Sequence, residues 1–197
     1  MTYIETVPEE QASGALAELY AADRATFGRL PNLTQAFSAR PEIYAAWKGL
    51  NGAIKARMDL RRYELATLAA ARRMRSSYCM LAHGAVLADR FLGADGVRAV
   101  AADHRAAGLD PVEVAVMDLA EKVADDATRV TQADIDDLRA HALSDGEILE
   151  VVTAAAVRCF FSKVLDALGA EPDHAFQDME PALRDVLTVG RPIALAP

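Results

Sequence analysis

The amino-acid sequence predicts a soluble, single-domain protein built only of α-helices. Its 197 residues are 52% hydrophobic and 25% charged, and a chain of this length can bury one sizeable hydrophobic core. Apolar residues recur at helical spacing through most of the chain, whereas few Val, Ile or Tyr runs alternate with polar residues as they would in a strand. Because neither a fixed-period repeat nor a dividing linker is present, we expect residues 1–197 to form one domain.

Capping residues and prolines predict where the helices begin and end. Asp59 is a candidate N-cap, and Pro41 and Pro111 occupy first helical positions, where a missing N–H costs nothing. A capping box at residues 144–147 precedes a long helix that ends before Gly169. The predicted helices run from 8 to a break at 28–32, then through 37, from 41 to about 57, from 60 to about 75, from 78 to about 91, from 111 through 123, from 131, from 145 to 168, and from 178 to about 187.

Two segments lack a helical signal. Gly93 and Gly96 bracket a predicted turn, and residues 189–197 contain two prolines and no helical pattern. We expect residues 189–197 to be a disordered tail or an arm laid on a neighbouring molecule, outside a core of about residues 5–175.

Charge and cysteine content restrict the partners and the compartment. The net charge of −8 disfavours nucleic acid and anionic membranes as partners, because both would repel such a surface. Only Cys79 and Cys159 occur, a usage that fits a reducing cytoplasm rather than a disulfide scaffold. Residues 1–5 do not resemble a signal peptide. The longest apolar run, residues 148–161, is too short for a bilayer and predicts a buried helix.

The strongest chemical signal comes from Cys79 and His83, which lie one helical turn apart on the same face. If Ser76 or Ser77 caps their helix, Cys79 lies in its first turn, where unpaired N–H groups favour a thiolate. His83 can accept the thiol proton, and Glu64, fifteen residues before Cys79, can orient His83 or relay a proton. By spacing alone, a buried apolar cysteine and a hydrogen-bonded histidine remain the alternative.

Cys79 and His83 provide too few ligands for a zinc site, and we predict no metal and no cofactor.

Three further histidines lie in polar stretches and are predicted at the surface. Trp47 is expected in the core or at a subunit interface, and neither Arg158 nor Lys163 is assigned to catalysis. The three histidines are His104, His141 and His174.

The motif and much of the chain resemble the carboxymuconolactone decarboxylase/alkylhydroperoxidase D superfamily. Its redox members contain a Glu followed by Cys-x-x-Cys-x-x-x-His, and Glu64, Cys79 and His83 fit the last part of that pattern. The resemblance covers most of residues 5–175. The similar segments are 8–10, 28–32, 40–42, 62–65, 76–83 and 144–173.

The resemblance implies an all-helical fold that assembles into dimers, trimers or hexamers. It also implies that Cys79 is the second motif cysteine, His83 the motif histidine and Glu64 the motif glutamate. Ser76 stands where the first cysteine of the family motif belongs, and a serine cannot form a disulfide, so the two-thiol cycle cannot run within this motif. Ser76 and Tyr78, beside Cys79, are included as accessory residues of the predicted site.

Three functions follow from this altered motif. The first is an antioxidant oxidoreductase that reduces hydroperoxides through a sulfenic acid on Cys79, which an external thiol or dithiol then reduces. Cys159 could resolve that acid only with its Cα within about 7 Å, and its apolar neighbours instead predict burial. The second is a non-redox decarboxylase-type enzyme in which His83 and Glu64 act as acid and base. The third is an inactive family member that keeps the scaffold.

Overall fold

The computed structural model describes residues 2–196, which contain ten α-helices and no β-strand. This confirms the predicted all-α class. Three short 3-10 helices lie at Glu9–Gln11, Ala127–Arg129 and His174–Asp178, and a π-helical turn, Ala88–Leu92, joins α5 to α6. The helices are α1 (Gly14–Phe27), α2 (Asn32–Ala36), α3 (Pro41–Lys55), α4 (Leu60–Met74), α5 (Ser77–Leu87), α6 (Gly93–Asp103), α7 (Pro111–Asp126), α8 (Gln132–Ala140), α9 (Asp145–Leu168) and α10 (Pro181–Leu187).

Side chains and glycines at the helix ends account for most of these boundaries. The Asp59 carboxylate accepts a hydrogen bond from the Arg62 N–H at 2.9 Å and starts α4. A capping box at Ser144 starts α9, and a second at Asp110 starts α7. Helix α9 ends at Gly169, whose φ of 75° is one that a residue with a Cβ rarely adopts. These predicted boundaries are confirmed.

Two predicted segments differ in the structure. Helix α1 begins at Gly14 rather than Pro8, because the preceding chain folds back on α1: the Tyr20 hydroxyl donates to the Val7 carbonyl at 2.8 Å. The Val7 N–H also donates to Ser38 Oγ at 3.0 Å, so it cannot join a continuous helix. The predicted turn at Gly93 and Gly96 is instead the start of α6.

Helix α4 is the centre of the fold and packs against α5, α7 and α9. All nine residues from Tyr63 to Ala71 are buried, so this stretch has no solvent-facing side. A helix surrounded in this way is normally apolar all round. Glu64 is an exception at 2% exposure, and a buried carboxylate of this kind requires polar partners.

Gly84 allows α10 to lie directly on α5. A Cβ at Gly84 would come within 2.5 Å of Leu187 Cδ1, and Leu187 is fully buried. The side chain of Leu187 therefore occupies the space that any larger residue at 84 would need.

Residues 188–196, after α10, pack against their own chain. The sequence had instead predicted a disordered tail or an arm laid on a neighbouring molecule. The Gly190 N–H donates to Ser77 Oγ at 2.7 Å, and the Ala194 N–H donates to the Pro172 carbonyl at 2.9 Å. Arg191 donates to the Asp166 carbonyl on α9. Residues 188–196 thus cover the start of α5; Pro197 lies outside the described residues. None of the described helices is long and apolar enough to span a membrane.

Candidate active site

Cys79 is the third residue of α5, within its first turn, and is 2% exposed. Its Sγ atom faces two polar side chains of α9. Ser162 Oγ lies 3.0 Å away and donates a hydrogen bond to the sulfur, and Arg158 Nη1 donates from 3.6 Å. Ser162 and Arg158 are four residues apart, so they lie on one face of α9. The thiol therefore has a hydroxyl and a cation as its immediate neighbours.

Arg158 is itself buried, at 3% exposure. Its Nη2 donates to the Tyr63 hydroxyl at 3.1 Å, and its Nε has no hydrogen-bond partner. The guanidinium carbon lies 5.8 Å from the Trp47 ring and 5.7 Å from the Phe161 ring, within cation–π range. Burial lowers the pKa of Arg158, but the nearby Cys79 and Tyr63 outweigh that effect and raise it above its ordinary value. The group is therefore a permanent buried cation.

The second half of the site is a carboxylate–imidazole pair. His83 Nδ1 lies 2.5 Å from Glu64 Oε2, so α5 and α4 are joined here by a short hydrogen bond. Lys55 Nζ lies 3.7 Å from Glu64 Oε1 and completes the environment of the carboxylate. Glu64 is almost fully buried, and the His83 side chain is 13% exposed.

The charges in this half of the site favour an ionised Glu64 and a neutral His83. Burial raises the pKa of Glu64, but the hydrogen bond and charge of His83, with Lys55 and Arg158, bring it below its ordinary value. Burial and the positive charge of Arg158 lower the pKa of His83, against the opposing effect of Glu64. An ionised Glu64 accepts the proton on Nδ1, which leaves the lone pair of the neutral ring on Nε2. None of the described residues hydrogen-bonds to Nε2, so that atom can act as a general base.

Tyr63 and Arg158 connect the two halves of the site. The Tyr63 hydroxyl accepts from Arg158 and donates to Asn51 Oδ1 at 2.7 Å, while its ring meets the His83 ring edge-on at 6.0 Å between centroids. Among residues 2–196, no hydrogen bond joins Cys79 directly to His83 or Glu64. The thiol and the imidazole are therefore linked through a shared polar cluster.

Comparison with known proteins gives matches at the level of structure only. No family model and no curated protein matches the sequence. A peroxidase-related protein from Ralstonia eutropha JMP134, described as an alkylhydroperoxidase AhpD core, superposes with a TM-score of 0.81 at 20% identity, covering 89% of this chain and 94% of that one. The chain has the AhpD-like helical fold.

Two further structures share the AhpD-like fold. A peroxidase-related protein from Silicibacter sp. TM1040 has a TM-score of 0.74 at 19% identity, over 89% of this chain and 91% of its own. The debrominase Bmp8, solved as a cysteine-to-alanine variant in complex with 2,3,4-tribromopyrrole, has a TM-score of 0.75 at 15% identity, over 94% and 98% of the two chains. Proteins that share this fold are therefore described under more than one activity.

Within this AhpD-like fold, Ser76 is the residue before α5 and is fully buried. Its hydroxyl does not cap α5. Among the described residues its Oγ has no hydrogen-bond partner, although it lies near Asp166 on α9, where burial raises the pKa of Asp166 and the nearby Ser76 hydroxyl partly offsets this. Arg158, Ser162 and Asp166 thus follow one another at four-residue intervals along the face of α9 that meets the start of α5.

Tyr78, the other predicted accessory residue, anchors the surrounding chain. Its hydroxyl donates a very short hydrogen bond to Asp173 and accepts one from the Leu33 N–H at 3.1 Å. Burial and the adjacent Asp173 carboxylate raise its pKa well above the usual value. The hydroxyl therefore joins α2 to the loop after α9 and makes no hydrogen bond to Cys79.

Cys79 and Cys159 are both free thiols. Cys159 follows Arg158 on α9 and is half-buried; burial raises its pKa above the ordinary value. Cys159 packs against the apolar core but is only partly buried, whereas its neighbours predicted full burial.

Arg158 is a site residue that the sequence did not predict. A single arginine inside the otherwise apolar run 148–161 was the available signal, because a buried arginine requires a partner. What the sequence could not show was that this partner is the sulfur of Cys79.

The prediction that His104 lies at the surface is wrong, because its side chain is fully buried. Its Nε2 lies 2.7 Å from Asp118, its Nδ1 lies 3.1 Å from Arg72, and Arg72 also donates to Glu121. His104, Asp118 and Glu121 are close enough to hold a metal ion. Arg72 occupies two of the would-be ligands with N–H donors, so the residues fit a buried ion-pair network better than a metal site. Of the other two histidines, His174 is exposed and His141 is partly so.

An open apolar groove of about 700 Å³ lies between α3 and α9, behind the Arg158 side of the site. Trp47 and Val157 line it, and the Trp47 N–H donates to the Val157 carbonyl at 3.3 Å. Trp47 stacks on Phe161 at 3.9 Å between centroids and so separates the groove from Arg158. Leu50 and Phe160 on this face are 57% and 45% exposed.

Proposed function

We propose that this protein is a member of the AhpD-like superfamily and reduces small hydroperoxides with the single thiol Cys79, using an external thiol as reductant. The observation that supports this most directly is the position of Cys79, in the first turn of α5 with Arg158 and Ser162 as donors to its sulfur. Donors and a helix N-terminus favour the thiolate, which is the form that attacks an oxidant. The peroxidase-related structures with the same fold support the same class of chemistry.

The reaction proceeds in three steps. The Cys79 thiolate attacks the outer oxygen of the hydroperoxide; the O–O bond breaks, the sulfur becomes a sulfenic acid, and an alcohol leaves after protonation. A thiol then attacks the sulfenic sulfur and releases water, giving a mixed disulfide. A second thiol frees Cys79 and leaves as the disulfide of the reductant. His83 relays a proton from water to the leaving oxygen through its unoccupied Nε2.

The test is hydrogen peroxide consumption with a dithiol reductant, and the small oxidant is chosen because Cys79 is only 2% exposed. We expect turnover by the unmodified chain and by Cys159→Ser, and none by Cys79→Ser. After oxidation without reductant, mass spectrometry of Cys159→Ser should find one added oxygen on residue 79. Equal turnover by Cys79→Ser, or no consumption by any variant, would contradict the proposal.

A second function is supported by the Glu64–His83 pair. The pair is complete without the thiol: Glu64 orients His83 and leaves Nε2 unoccupied. An acid/base reaction of the decarboxylase type would therefore survive Cys79→Ser and be lost in His83→Gln. Screening lactone and β-keto acid substrates with these two variants separates the two functions. Halogenated pyrroles belong in the same screen because a debrominase shares the fold. A chain inactive in all of these assays would fit the third hypothesis, a scaffold without activity.

We also propose that the protein is a homo-oligomer, as the family resemblance implies. Exposed apolar side chains on α3 and α9 support this, since contiguous apolar surface commonly marks an interface. Sedimentation should show a dimer or larger species that Leu50→Asp weakens. Leu195→Asp, at the more exposed Leu195 in the C-terminal segment, is the control and should change nothing. A monomer at all concentrations would contradict this proposal.

A further inference from the structure

Arg158 has no carboxylate partner. Among residues 2–196, no Asp or Glu oxygen lies within salt-bridge distance of its guanidinium. Its contacts are the Cys79 sulfur, the Tyr63 hydroxyl and two aromatic rings, and its Nε–H has no acceptor. A buried charge without a counter-ion is costly, so buried arginines normally face an anion.

A count of the neighbouring charges leaves Arg158 uncompensated. The ionised Glu64 lies 3.7 Å from Lys55 and accepts its short hydrogen bond from the neutral ring of His83; the charge of Arg158 also acts on Glu64, but without a salt bridge between them. The Asp166 carboxylate lies 3.9 Å from Arg191. The remaining group is the Cys79 thiol, whose sulfur contacts Arg158 directly. The groups that face this region are Tyr63 and Glu64 from α4, Lys55 from α3, His83 from α5, and Arg158 and Asp166 from α9.

We propose that Arg158 is the counter-ion of Cys79, and that the site holds this cysteine as a thiolate paired with the buried guanidinium. Ser162 supplies a hydrogen bond to the same sulfur, and the first turn of α5 adds the positive end of its dipole. The ion pair is a property of the resting protein; its role in catalysis rests on the proposed thiol chemistry.

The pairing also suits the product of the reaction. Attack on a hydroperoxide adds one oxygen to the sulfur, and the deprotonated sulfenate retains a negative charge beside the same cation. The Arg158 Nε–H has no acceptor in the resting structure, so the guanidinium retains one donor for a further oxygen. Arg158 therefore contacts the reacting sulfur before and after oxidation.

The test is a pH titration of the ultraviolet thiolate absorbance, which does not require a reagent to reach the buried sulfur. All variants contain Cys159→Ser, and the double variant Cys79→Ser with Cys159→Ser supplies the baseline. We expect half of the signal to form below the free-cysteine value of about 8.5. Arg158→Met should raise this midpoint by at least about one pH unit, because it removes the adjacent positive charge.

Lys163→Met is the matched control, because it removes one positive charge from an exposed position of the same helix. It should leave the midpoint unchanged. An equal midpoint in Arg158→Met and its parent would overturn the inference, as would a parent midpoint at or above about 8.5. If circular dichroism shows that Arg158→Met is unfolded, Arg158→Gln makes the same comparison with a polar side chain.

This outcome is separable from that of the peroxidase assay. A midpoint that depends on Arg158, without peroxide consumption, would support the ion pair and reject the proposed reaction. Peroxide consumption with the same titration midpoint in Arg158→Met and its parent would reject the ion pair alone.

Discussion

His83 Nδ1 and Glu64 Oε2 lie 2.5 Å apart, so a buried carboxylate sets the orientation and the protonated nitrogen of the imidazole. Their helices are separate in sequence, and the pair forms only because α5 packs on α4. The arrangement directs Nε2 of a neutral ring away from the carboxylate, as a general base requires.

Glu64→Gln should reduce turnover about 10²-fold, the lower end of the range for general acid–base catalysis. The amide no longer accepts the Nδ1 proton as an anion, so the imidazole loses its fixed tautomer. Steady-state kinetics on the active substrate measures this. Glu150→Gln on α9 is the control and should keep full activity; a loss of similar size there would indicate a general effect of removing negative charge.

Stability should fall on acidification, and His83 should contribute to the fall. Burial and Arg158 lower the pKa of folded His83, so the unfolded chain binds this proton first. The contribution of neutral His83 to the free energy of unfolding is complete above its ordinary pKa of 6.5. It is lost as the pH falls through the lower pKa of the folded state. For this one group, the free energy of unfolding falls by at most about 1.4 kcal/mol per pH unit.

Urea unfolding between neutral and mildly acidic pH tests this expectation, with His83→Gln as the comparison. The variant should show a shallower fall below pH 6.5 than the parent. Glu64 acts in the same direction, since its folded pKa is also lowered, but below its ordinary value of 4.5. Identical slopes in variant and parent would show that His83 does not titrate differently in the two states.

Ser76→Cys should create a reducible disulfide with Cys79 and raise peroxidase turnover. Residue 76 immediately precedes α5 and lies one turn before Cys79, the spacing of the two-thiol motif. Ser77→Cys is the matched control, because residues two apart on a helix point to different faces. Thiol counts before and after reduction, in the Cys159→Ser background, measure both variants. Disulfide in neither variant, or in both equally, would contradict the geometry.

Gly84→Ala should destabilise the fold by about 1–3 kcal/mol, the usual cost of overpacking. The new Cβ would lie 2.5 Å from Leu187 Cδ1, and the buried Leu187 has little room to move. Gly49→Ala on α3 has nothing within 4 Å and should instead stabilise the protein by about 0.5–1 kcal/mol.

Urea unfolding midpoints compare these two variants. Adding Leu187→Ala to Gly84→Ala should recover part of the loss, because it removes the opposing side chain. Additive effects of the two changes would indicate that α10 does not press on α5 at this point.

Local sequence determined the helices and part of the site. The caps at Asp59, Asp110 and Ser144 act on their own backbone, so their effect was visible without the fold. The positions of Cys79 and His83, one turn apart on one helix, followed from spacing for the same reason. The all-α class followed from the periodicity of the apolar residues.

Tertiary packing decided what each of these residues meets. Arg158 reaches Cys79, and Glu64 reaches His83, because α4 packs against both α5 and α9 at particular offsets. The relative positions of these helices depend on many side chains that interdigitate at once, for example Leu187 against Gly84. No single local sequence pattern encodes such packing. The burial of His104, supported by Arg72 and Asp118 from other helices, was hidden for the same reason. The sequence by itself thus determined the thiol, the imidazole and their helix, whereas only the tertiary structure supplied the buried cation beside the sulfur.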